Sequence, residues 1–400
     1  MDRTPPLSRV ARSMRPGVFA VLEARIAEAT ARGTRIVPLH IGDTCRPPPA
    51  AARFGAIVGE RDDAPLYAYG ATAGEAALKE AVARRAVGRG LGWVTPRNVM
   101  VGVGGTHALA CAAHAILDPG DEVILLSPYW PLAPGIFHAV GAATVEVAAS
   151  QRLYADPGFD LGAALRAALG PRTRAVYFVS PNNPDGKILG ERELVQIARF
   201  AEEHDLWVFA DEVYADITYG APPPSFGALE GMPGLRSRSI VLHSLSKSHA
   251  LAGARVGYFL GPEEVIAAAL RFSTHSAFNV PLVCQRAALA ALESEGAWLA
   301  ESLVAYRAAR DAVVARLAAG GIPTHVPEGG TYVFVDLAES LRGRTLVQLL
   351  ESAIDLGVLV TPGVAFGEAF PSHARVCFTS APEADVLVGI DRLLRAAAGE

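Results

Sequence analysis

From Val99 onward, short apolar runs alternate with longer stretches in which apolar residues recur at helical spacing. The short runs predict strands over Val99–Val103, Glu122–Leu126, Thr144–Val147, Ala175–Val179, Trp207–Ala210, Ser239–His243 and Arg255–Leu260. The longer stretches predict helices over Thr106–Leu117, Leu161–Leu169, Glu191–His204 and Glu263–Phe272. Strands separated by helices indicate an α/β fold with a mainly parallel sheet that helices cover on both faces.

The two ends of the chain depart from this alternation. A helical pattern near the N-terminus, Gly17–Ala31, is followed by a short apolar stretch, Ile36–Ile41, and a proline-rich loop. After Pro281 a long helical pattern runs through Arg316. Two further strands, Thr331–Val335 and Arg375–Thr379, then favour a second, smaller α+β domain near the C-terminus.

Composition narrows the class of protein. The chain has 400 residues, 51% of them apolar, and a net charge of −5, so neither nucleic acid nor an anionic membrane is an expected partner. Its four cysteines form no C-x-x-C pair, and a metal site is not expected. No unbroken apolar stretch is long enough to span a membrane, and the N-terminus lacks the apolar core of a signal peptide. A cytoplasmic location is therefore expected.

In an open α/β sheet, ligands bind beyond the carboxyl ends of the strands. The strand Val99–Val103 ends in Gly104-Gly105-Thr106, where a helix begins. Glycines allow close approach of an anion, and a helix N-terminus offers free N–H groups, so this turn is a candidate phosphate site. The alternative is a tight turn in which Thr106 caps the helix.

Three other strands end in polar or aromatic residues that could hold a flat ligand. Trp130 follows the second strand and could stack on a ring, or simply pack in the core. Asn183 stands in the rigid turn Ser180-Pro181-Asn182-Asn183-Pro184, which could equally be an ordinary loop. Asp211 directly follows an apolar strand and Tyr214 comes three residues later; a buried carboxylate there needs a cation, unless it caps the next turn.

The strand Ser239–His243 ends in Ser244-Leu245-Ser246-Lys247, and Arg255 follows eight residues after the lysine. Lysine forms Schiff bases, while two hydroxyls and an arginine can bind a phosphate. Together the strand ends describe one ligand with a phosphate, a flat ring, a basic ring nitrogen, a ring oxygen and a carbonyl. Pyridoxal phosphate has all five features.

The chain resembles the class I/II aminotransferases, which are fold type I pyridoxal-phosphate enzymes, and within them the prokaryotic aspartate and aromatic aminotransferases. The matching segments are PLHIGD, YAYGATAGEAALKEAVA, VGGTHAL, ILDPGDEVILLSPYWP, SPNNPDG, DEVY, SLSKSHALAGARVGY and TPGVAFG. The resemblance implies a large domain with a mainly parallel mixed sheet over residues 49–288. Residues 1–48 would supply the N-terminal arm and part of the small domain, and residues 289–400 the rest of it.

The resemblance also implies a role for each matching residue in a transaminase. Lys247 would hold the cofactor as a Schiff base and act in catalysis together with Asp211 and Tyr214. Cofactor binding would involve Gly105, Thr106, Trp130, Asn183, Asp211, Tyr214, Ser244, Ser246, Lys247 and Arg255. Tyr69 would reach the phosphate from the other subunit of a homodimer with shared active sites. Substrate binding, in which Arg375 grips the α-carboxylate, would involve Gly42, Arg375, Asn183 and Trp130.

The amino acid and 2-oxo acid substrates stay open at this point. Where relatives of the aspartate and prephenate type often carry a lysine that grips a distal carboxylate, this chain has Thr106. Arg46 could bind an acidic side chain or face solvent. Asp185 replaces the usual threonine of the N-P-T-G turn, and GDTC replaces the common G-E-P-D, which hints at an uncommon substrate. Residues Arg271–Ser276 could come from the partner subunit.

Two other function classes compete with transamination. A C–S lyase, an oxidase or a decarboxylase on the same scaffold would share the cofactor residues. A ligand sensor fused to a DNA-binding domain is the third possibility, and it is not expected, because the sequence starts almost directly at the residues that resemble the family's N-terminal arm.

Overall fold

The computed structural model describes residues 5–14, 17–59 and 64–400. Its strands are β1 Val37–Pro38, β2 Val99–Val103, β3 Glu122–Ser127, β4 Ala143–Ala148, β5 Thr173–Val179, β6 Trp207–Asp211, β7 Ser239–Ser244, β8 Val256–Leu260, β9 Tyr332–Asp336, β10 Val358–Leu359, β11 Thr361–Pro362 and β12 His373–Cys377. Its α-helices are α1 Arg9–Ser13, α2 Glu23–Ala31, α3 Phe54–Val58, α4 Ala76–Gly88, α5 Gly104–Ile116, α6 Ala133–Ala139, α7 Ser150–Ala155, α8 Leu161–Ala168, α9 Glu191–Glu203, α10 Leu245–Ser248, α11 Glu263–Ser276, α12 Leu282–Glu293, α13 Glu295–Ala319, α14 Ala338–Leu341, α15 Leu346–Asp355 and α16 Glu383–Ala398.

The large sheet has the strand order β2-β8-β7-β6-β5-β3-β4. The pairs β3–β4, β3–β5, β5–β6 and β6–β7 are parallel, and β8 is antiparallel to both of its neighbours. Both faces are buried: Tyr177 and Val179 pack into one apolar cluster, and Val176 and Phe178 into another. Since side chains alternate between the faces of a strand, a strand buried on both sides must be apolar throughout. The predicted fold class is confirmed.

The direction of β8 explains how Arg255 reaches the ligand edge. The parallel strands β3, β5, β6 and β7 all end at one edge of the sheet. Because β8 runs the opposite way, its beginning lies at that edge, and Arg255 immediately precedes it. The antiparallel strand thus brings an arginine to the side where its neighbours deliver their last residues.

A smaller antiparallel sheet has the order β11-β12-β9, and β1 forms a parallel pair with β10. Val37 faces Val358 in that pair, so the N-terminal segment joins the C-terminal part of the chain. The residue boundaries 1–48, 49–288 and 289–400 remain a prediction.

Two predicted helices differ from the structure. The pattern over Gly17–Ala31 becomes helical only at α2, because the preceding residues form four-residue turns, such as the one closed by the bond from the Ala20 N–H to the Gly17 carbonyl. The long pattern after Pro281 divides at Ser294 into α12 and α13. Ser294 and nearby Gly296 are poor helix formers, so a break there costs little helix stability. No helix in the described ranges is long and apolar enough to cross a membrane.

Candidate active site

A cavity of about 280 Å³ lies at the edge where the parallel strands end. Two walls enclose it. The strand-end wall comprises Gly105, Thr106, Trp130, Asn183, Asp211, Tyr214, Ser244, Ser246, Lys247 and Arg255. The small-sheet wall comprises Ile41, Gly42, Tyr332 and Arg375. The structure therefore brings together every residue that the sequence analysis assigned to the site except Tyr69.

One corner of the cavity is built to bind an anion. Helix α5 begins at Gly104, which has a φ of +75°, and a Cβ at that position would lie 2.6 Å from Nη2 of Arg255. Only glycine lets the guanidinium lie this close to the start of the helix. Thr106 stands in the first turn and is not the N-cap, since Val103 occupies that position without a side-chain bond. The free N–H groups of the turn and the arginine charge favour a phosphate.

Two serine hydroxyls line the same corner. Ser244 Oγ donates to Ser246 Oγ at 2.9 Å and accepts from the Ser246 N–H at 3.2 Å. Arg255 adopts the left-handed conformation, with φ 54° and ψ 51°, and its Nη1 donates to the Ala252 carbonyl at 3.0 Å. These bonds fix donors around one point, which suits an anion with several oxygens.

Lys247 connects the two walls. It stands in the short helix α10, directly after β7, and its Nζ donates a hydrogen bond to the carbonyl of Gly42. A side chain at Gly42 would collide with the hydroxyl of Tyr332, so that position needs a glycine. The amine is thus held inside the cavity, where a carbonyl compound could reach it.

Asp211 is a buried carboxylate whose hydrogen-bond partners carry no positive charge. Its Oδ2 accepts from the Tyr177 hydroxyl at 2.8 Å, and its Oδ1 accepts from the Val213 N–H at 3.2 Å. Burial raises the pKa of Asp211 to about 6, against the hydrogen bonds that lower it. The Val213 bond is the capping contact considered from the sequence, yet the side chain also lines the cavity. A cationic ring nitrogen would offset the cost of burying this charge.

Arg375 is fixed at the centre of the small-sheet wall. Its Nη1 donates to Asn183 Oδ1 at 2.9 Å, and its Nη2 donates to the His40 carbonyl at 2.6 Å. The guanidinium lies over the Tyr332 ring, 4.2 Å from its centre. Its Nε is buried and has no hydrogen-bond partner among the described residues. Such a donor is costly to leave unpaired, so the position suits a carboxylate ligand.

The remaining polar groups of the cavity form pairs that leave donors available. Asn183 accepts from Arg375 through its oxygen, so its amide N–H groups can face a ligand oxygen. The Tyr214 and Tyr332 hydroxyls lie 2.6 Å apart. Only one proton can lie between them, so the other hydroxyl proton can be donated to a ligand.

Tyr69 lies outside this cavity. Its side chain is 86% exposed and makes an edge-to-face contact with Phe278, with ring centres 5.1 Å apart. Tyr69 is therefore not among the residues of its own chain that line the cavity.

Two departures from the family pattern lie away from the cavity lining. Asp185 is buried and accepts hydrogen bonds from Ser150 Oγ at 2.5 Å, Gln151 Nε2 at 3.0 Å, Asn182 Nδ2 at 2.9 Å and the Lys187 N–H at 3.1 Å. Its carboxylate therefore fastens the turn that carries Asn183 instead of facing a substrate. In the GDTC segment, Thr44 Oγ1 bonds the Tyr306 hydroxyl at 2.6 Å.

Arg46, in the loop after that segment, does not line the cavity either. Its guanidinium lies 3.9 Å from the carboxylate of Glu301, and its side chain is 32% exposed. The alternative in which it faces the protein surface fits this position.

The sequence analysis missed Tyr177, Tyr332 and Ile41. Tyr177 stands inside an apolar strand, where a tyrosine is readily taken for a core residue. The feature that could have revealed its role is that it lies on the same face of the strand as Val179. Tyr332 begins β9 and is brought to the cavity by pairing with Cys377 in β12, a contact that local patterns do not encode.

The whole-chain comparisons agree with this geometry. The family model of class I and II aminotransferases matches residues 34–393. The chain belongs to the class I and II aminotransferase family. The aspartate/prephenate aminotransferase of Thermus thermophilus is 33% identical over 386 residues, which cover 94% of this chain and 95% of that protein. The arginine–pyruvate transaminase of Pseudomonas aeruginosa is 34% identical over 351 residues, 86% of each chain.

Solved aminotransferase structures show the same fold. The aspartate aminotransferase from Thermus thermophilus with maleate superposes with a TM-score of 0.88 at 31% identity, over 98% of this chain and all of the other. An aromatic aminotransferase from Pyrococcus horikoshii gives a TM-score of 0.82 at 28% identity, over 92% of this chain and 98% of that one. The prediction of a transaminase is confirmed, and these names do not favour a lyase, an oxidase or a decarboxylase. Members of the aminotransferase family use pyridoxal phosphate.

Proposed function

We propose that this aminotransferase moves the amino group of an L-amino acid without an acidic side chain to a 2-oxo acid, with pyridoxal phosphate bound in the cavity. The observation that carries the proposal is the convergence of four charged groups on one cavity. Arg255 suits the phosphate, Asp211 the ring nitrogen, Lys247 the carbonyl and Arg375 a substrate carboxylate. When bound, the cofactor supplies a ring that accepts the electron pair left at the substrate α-carbon.

The strand-end wall would hold the cofactor. Gly105, Thr106, Ser244, Ser246 and Arg255 would bind its phosphate, Trp130 would stack on its ring, and Asn183 and Tyr214 would donate to its ring oxygen. Asp211 would face the ring nitrogen and keep a proton there, because an ion pair stabilises both the carboxylate and the protonated nitrogen. The burial of Asp211 and its uncharged hydrogen-bond partners support this assignment.

Lys247 would have two tasks. Its Nζ would form the covalent link to the cofactor carbonyl, and the substrate amine would displace it. The freed amine would then remove the proton from the α-carbon as a general base and return it to the cofactor side. Its hydrogen bond to Gly42 supports this, since the bond holds the amine between the two walls.

Arg375 would bind the substrate α-carboxylate, with Gly42 beside it. The unpaired Nε of Arg375 and its fixed guanidinium plane support a charge-assisted pair with a carboxylate. Such a pair fixes which bond of the α-carbon stands perpendicular to the ring. Burial, together with the nearby charge of Arg375, lowers the pKa of His40 to about 4, so His40 adds no second charge at neutral pH.

The substrate side chain is proposed to carry no carboxylate, because no further cation lines the cavity among the described residues of the chain. Among the described residues that line it, the cations are Lys247, Arg255 and Arg375, and each already has a partner in this scheme. Thr106 stands where a lysine would bind a distal carboxylate, and Arg46 lies near Glu301 outside the lining.

The proposal includes a homodimer with shared active sites in the cytoplasm. Tyr69 is highly exposed and lies outside its own chain's cavity, as expected of a residue that serves a neighbouring subunit. A sizing measurement of the cofactor-bound protein tests this part. A monomer that binds the cofactor tightly would contradict the role of Tyr69.

The decisive experiment mixes cofactor-bound enzyme with single amino acids, without an oxo acid, and follows the cofactor absorbance. Alanine or phenylalanine should convert the spectrum at least about tenfold faster than aspartate, and pyruvate or 2-oxoglutarate should reverse the change. Aspartate as the fastest donor would contradict the proposed substrate class. Release of pyruvate and ammonia from cysteine without an oxo acid would indicate a lyase.

A variant sharpens the substrate assignment. Thr106→Lys should raise the rate with aspartate relative to alanine about tenfold, because a new cation would face the distal carboxylate. Thr106→Gln is the matched control, similar in length but uncharged, and should leave that ratio unchanged. An equal ratio in both variants would show that position 106 does not face the substrate side chain.

A further inference from the structure

Tyr177 is a fully buried residue behind the cavity, and its hydroxyl donates to Asp211 Oδ2 at 2.8 Å. The register of the two strands produces this contact. Val179 of β5 lies opposite Asp211 of β6, so Tyr177 is two residues back on the same face as Val179. Tyr177 does not line the cavity, whereas Asp211 does, so the phenol contacts the carboxylate from within the core.

The geometry of the ring fixes this donor. Tyr177 packs edge-on against Phe137, with ring centres 5.7 Å apart and planes at 71°. Burial and the nearby Asp211 charge raise the pKa of Tyr177 well above its usual value, so the hydroxyl keeps its proton and can only donate to the carboxylate. A phenylalanine would fill the same volume in this apolar strand. The hydroxyl is therefore not needed for packing, and burying it is favourable only because it has a partner.

We propose that Tyr177 is a positioning residue that holds Asp211 ionised and aimed at the cofactor ring nitrogen, and so keeps that nitrogen protonated. The inference rests on the proposed function. A hydrogen bond to the charged form of a carboxylate stabilises that form. Without it, the proton shared by Asp211 and the ring nitrogen moves towards Asp211. The ring then loses positive charge and accepts electrons less readily, which slows proton removal from the substrate.

The test compares the wild type with Tyr177→Phe by measuring dissociation constants for pyridoxal phosphate and for its 1-deaza analogue, in which a C–H replaces the ring nitrogen. Tyr177→Phe should weaken binding of pyridoxal phosphate about tenfold, the effect of one lost hydrogen bond to a charged group. The affinity for the analogue should not change, since the analogue gives Asp211 no ring nitrogen. The ratio of the two affinities isolates the proposed role from general packing effects.

Two further readouts come from the same variant. The pH at which the cofactor absorbance changes should move upward, because a less cationic ring makes the covalent link to Lys247 more basic. The kcat should fall about tenfold while KM changes little, since substrate binding does not involve Asp211. Tyr154→Phe is the matched control: it removes a partly buried hydroxyl that donates to the Asp185 carbonyl at 3.2 Å, and it should leave the affinity ratio unchanged.

Equal weakening of both ligands in Tyr177→Phe, or no change in either, would overturn the inference. If that variant does not fold, 3-fluorotyrosine at position 177 provides a second route. Its more acidic hydroxyl is a stronger donor, so the affinity ratio should move in the opposite direction, and a shift in the same direction would contradict the proposal. Failure of the wild type to bind pyridoxal phosphate would instead refute the proposed function, which keeps the two outcomes distinct.

Discussion

The two walls of the cavity differ in how the chain builds them. The strand-end wall comes from turns at the ends of β2, β3, β5, β6 and β7, each of which is a short local segment. The small-sheet wall joins residues far apart in sequence; Arg375 contacts the His40 carbonyl across 335 positions. Cofactor binding can thus be encoded locally, strand by strand, whereas substrate recognition depends on how the two ends of the chain pack together.

The first prediction concerns the residue that connects the walls. Lys247→Ala should lower kcat about ten-thousandfold, because it removes both the covalent link and the general base. Steady-state kinetics with a saturating donor measure this. Lys187→Ala is the matched control, since that lysine forms an ion pair with Glu328 at 2.7 Å outside the cavity lining. Comparable losses in the two variants would contradict the assignment.

The second prediction separates the walls. Arg375→Lys should lower kcat/KM for amino acids about a hundredfold, because lysine keeps the charge but loses the planar pair of donors. The affinity for pyridoxal phosphate should stay near the wild-type value, since the strand-end wall is unchanged. Arg316→Lys, which alters an arginine paired with Asp391 on the surface, is the control. A parallel loss of cofactor affinity would show that the walls are not separable.

The third prediction uses pH in the cofactor-free protein. The pKa of Asp211 rises from 3.8 to about 6 on folding, so the folded state favours the protonated form. The stability that this group contributes is complete below pH 3.8 and is lost as pH rises through 6. Asp211→Asn does not titrate, so the variant should gain ~3 kcal/mol of unfolding free energy relative to wild type between pH 4 and pH 7.

Urea denaturation of both proteins across this range measures the difference. Added pyridoxal phosphate should narrow it at neutral pH, because the cationic ring nitrogen offsets the buried charge only in the wild type. A difference that does not vary with pH would contradict the burial of Asp211 without a cationic hydrogen-bond partner.

The fourth prediction tests whether the hydrogen bonds to Asp185 stabilise the turn that carries Asn183 in the strand-end wall. Asp185→Thr restores the common family residue but removes the acceptor of bonds from Ser150, Gln151 and Asn182. Stability should fall by about 2 kcal/mol, because these donors lose their carboxylate partner, and kcat should fall less than tenfold. Asp391→Asn, at an exposed ion pair, should cost under about 1 kcal/mol. Equal urea midpoints in the two variants would contradict the stabilising role of Asp185.

The sequence predicts the strand-end wall well, for a physical reason. Strand β2 and the start of β5, β6 and β7 differ from their predicted bounds by at most two residues, and a residue after a strand end needs no long-range information to be placed at the sheet edge. The small-sheet wall is predicted less well. Arg375 was assigned from the family resemblance alone, and Tyr332 was not predicted. Asp185 was interpreted as a substrate signal because sequence patterns do not show which way a side chain in a turn points.

The assignment of Lys247 as the residue that carries the cofactor can be tested directly, because the chain contains only three lysines, Lys79, Lys187 and Lys247. The cofactor-bound protein is reduced with borohydride, which makes the covalent link permanent, then digested and mapped by mass spectrometry. The account predicts a single pyridoxyl-phosphate adduct on the peptide that contains Lys247, and unmodified peptides for Lys79 and Lys187. An adduct on either of those two lysines, or no adduct on Lys247, would contradict it.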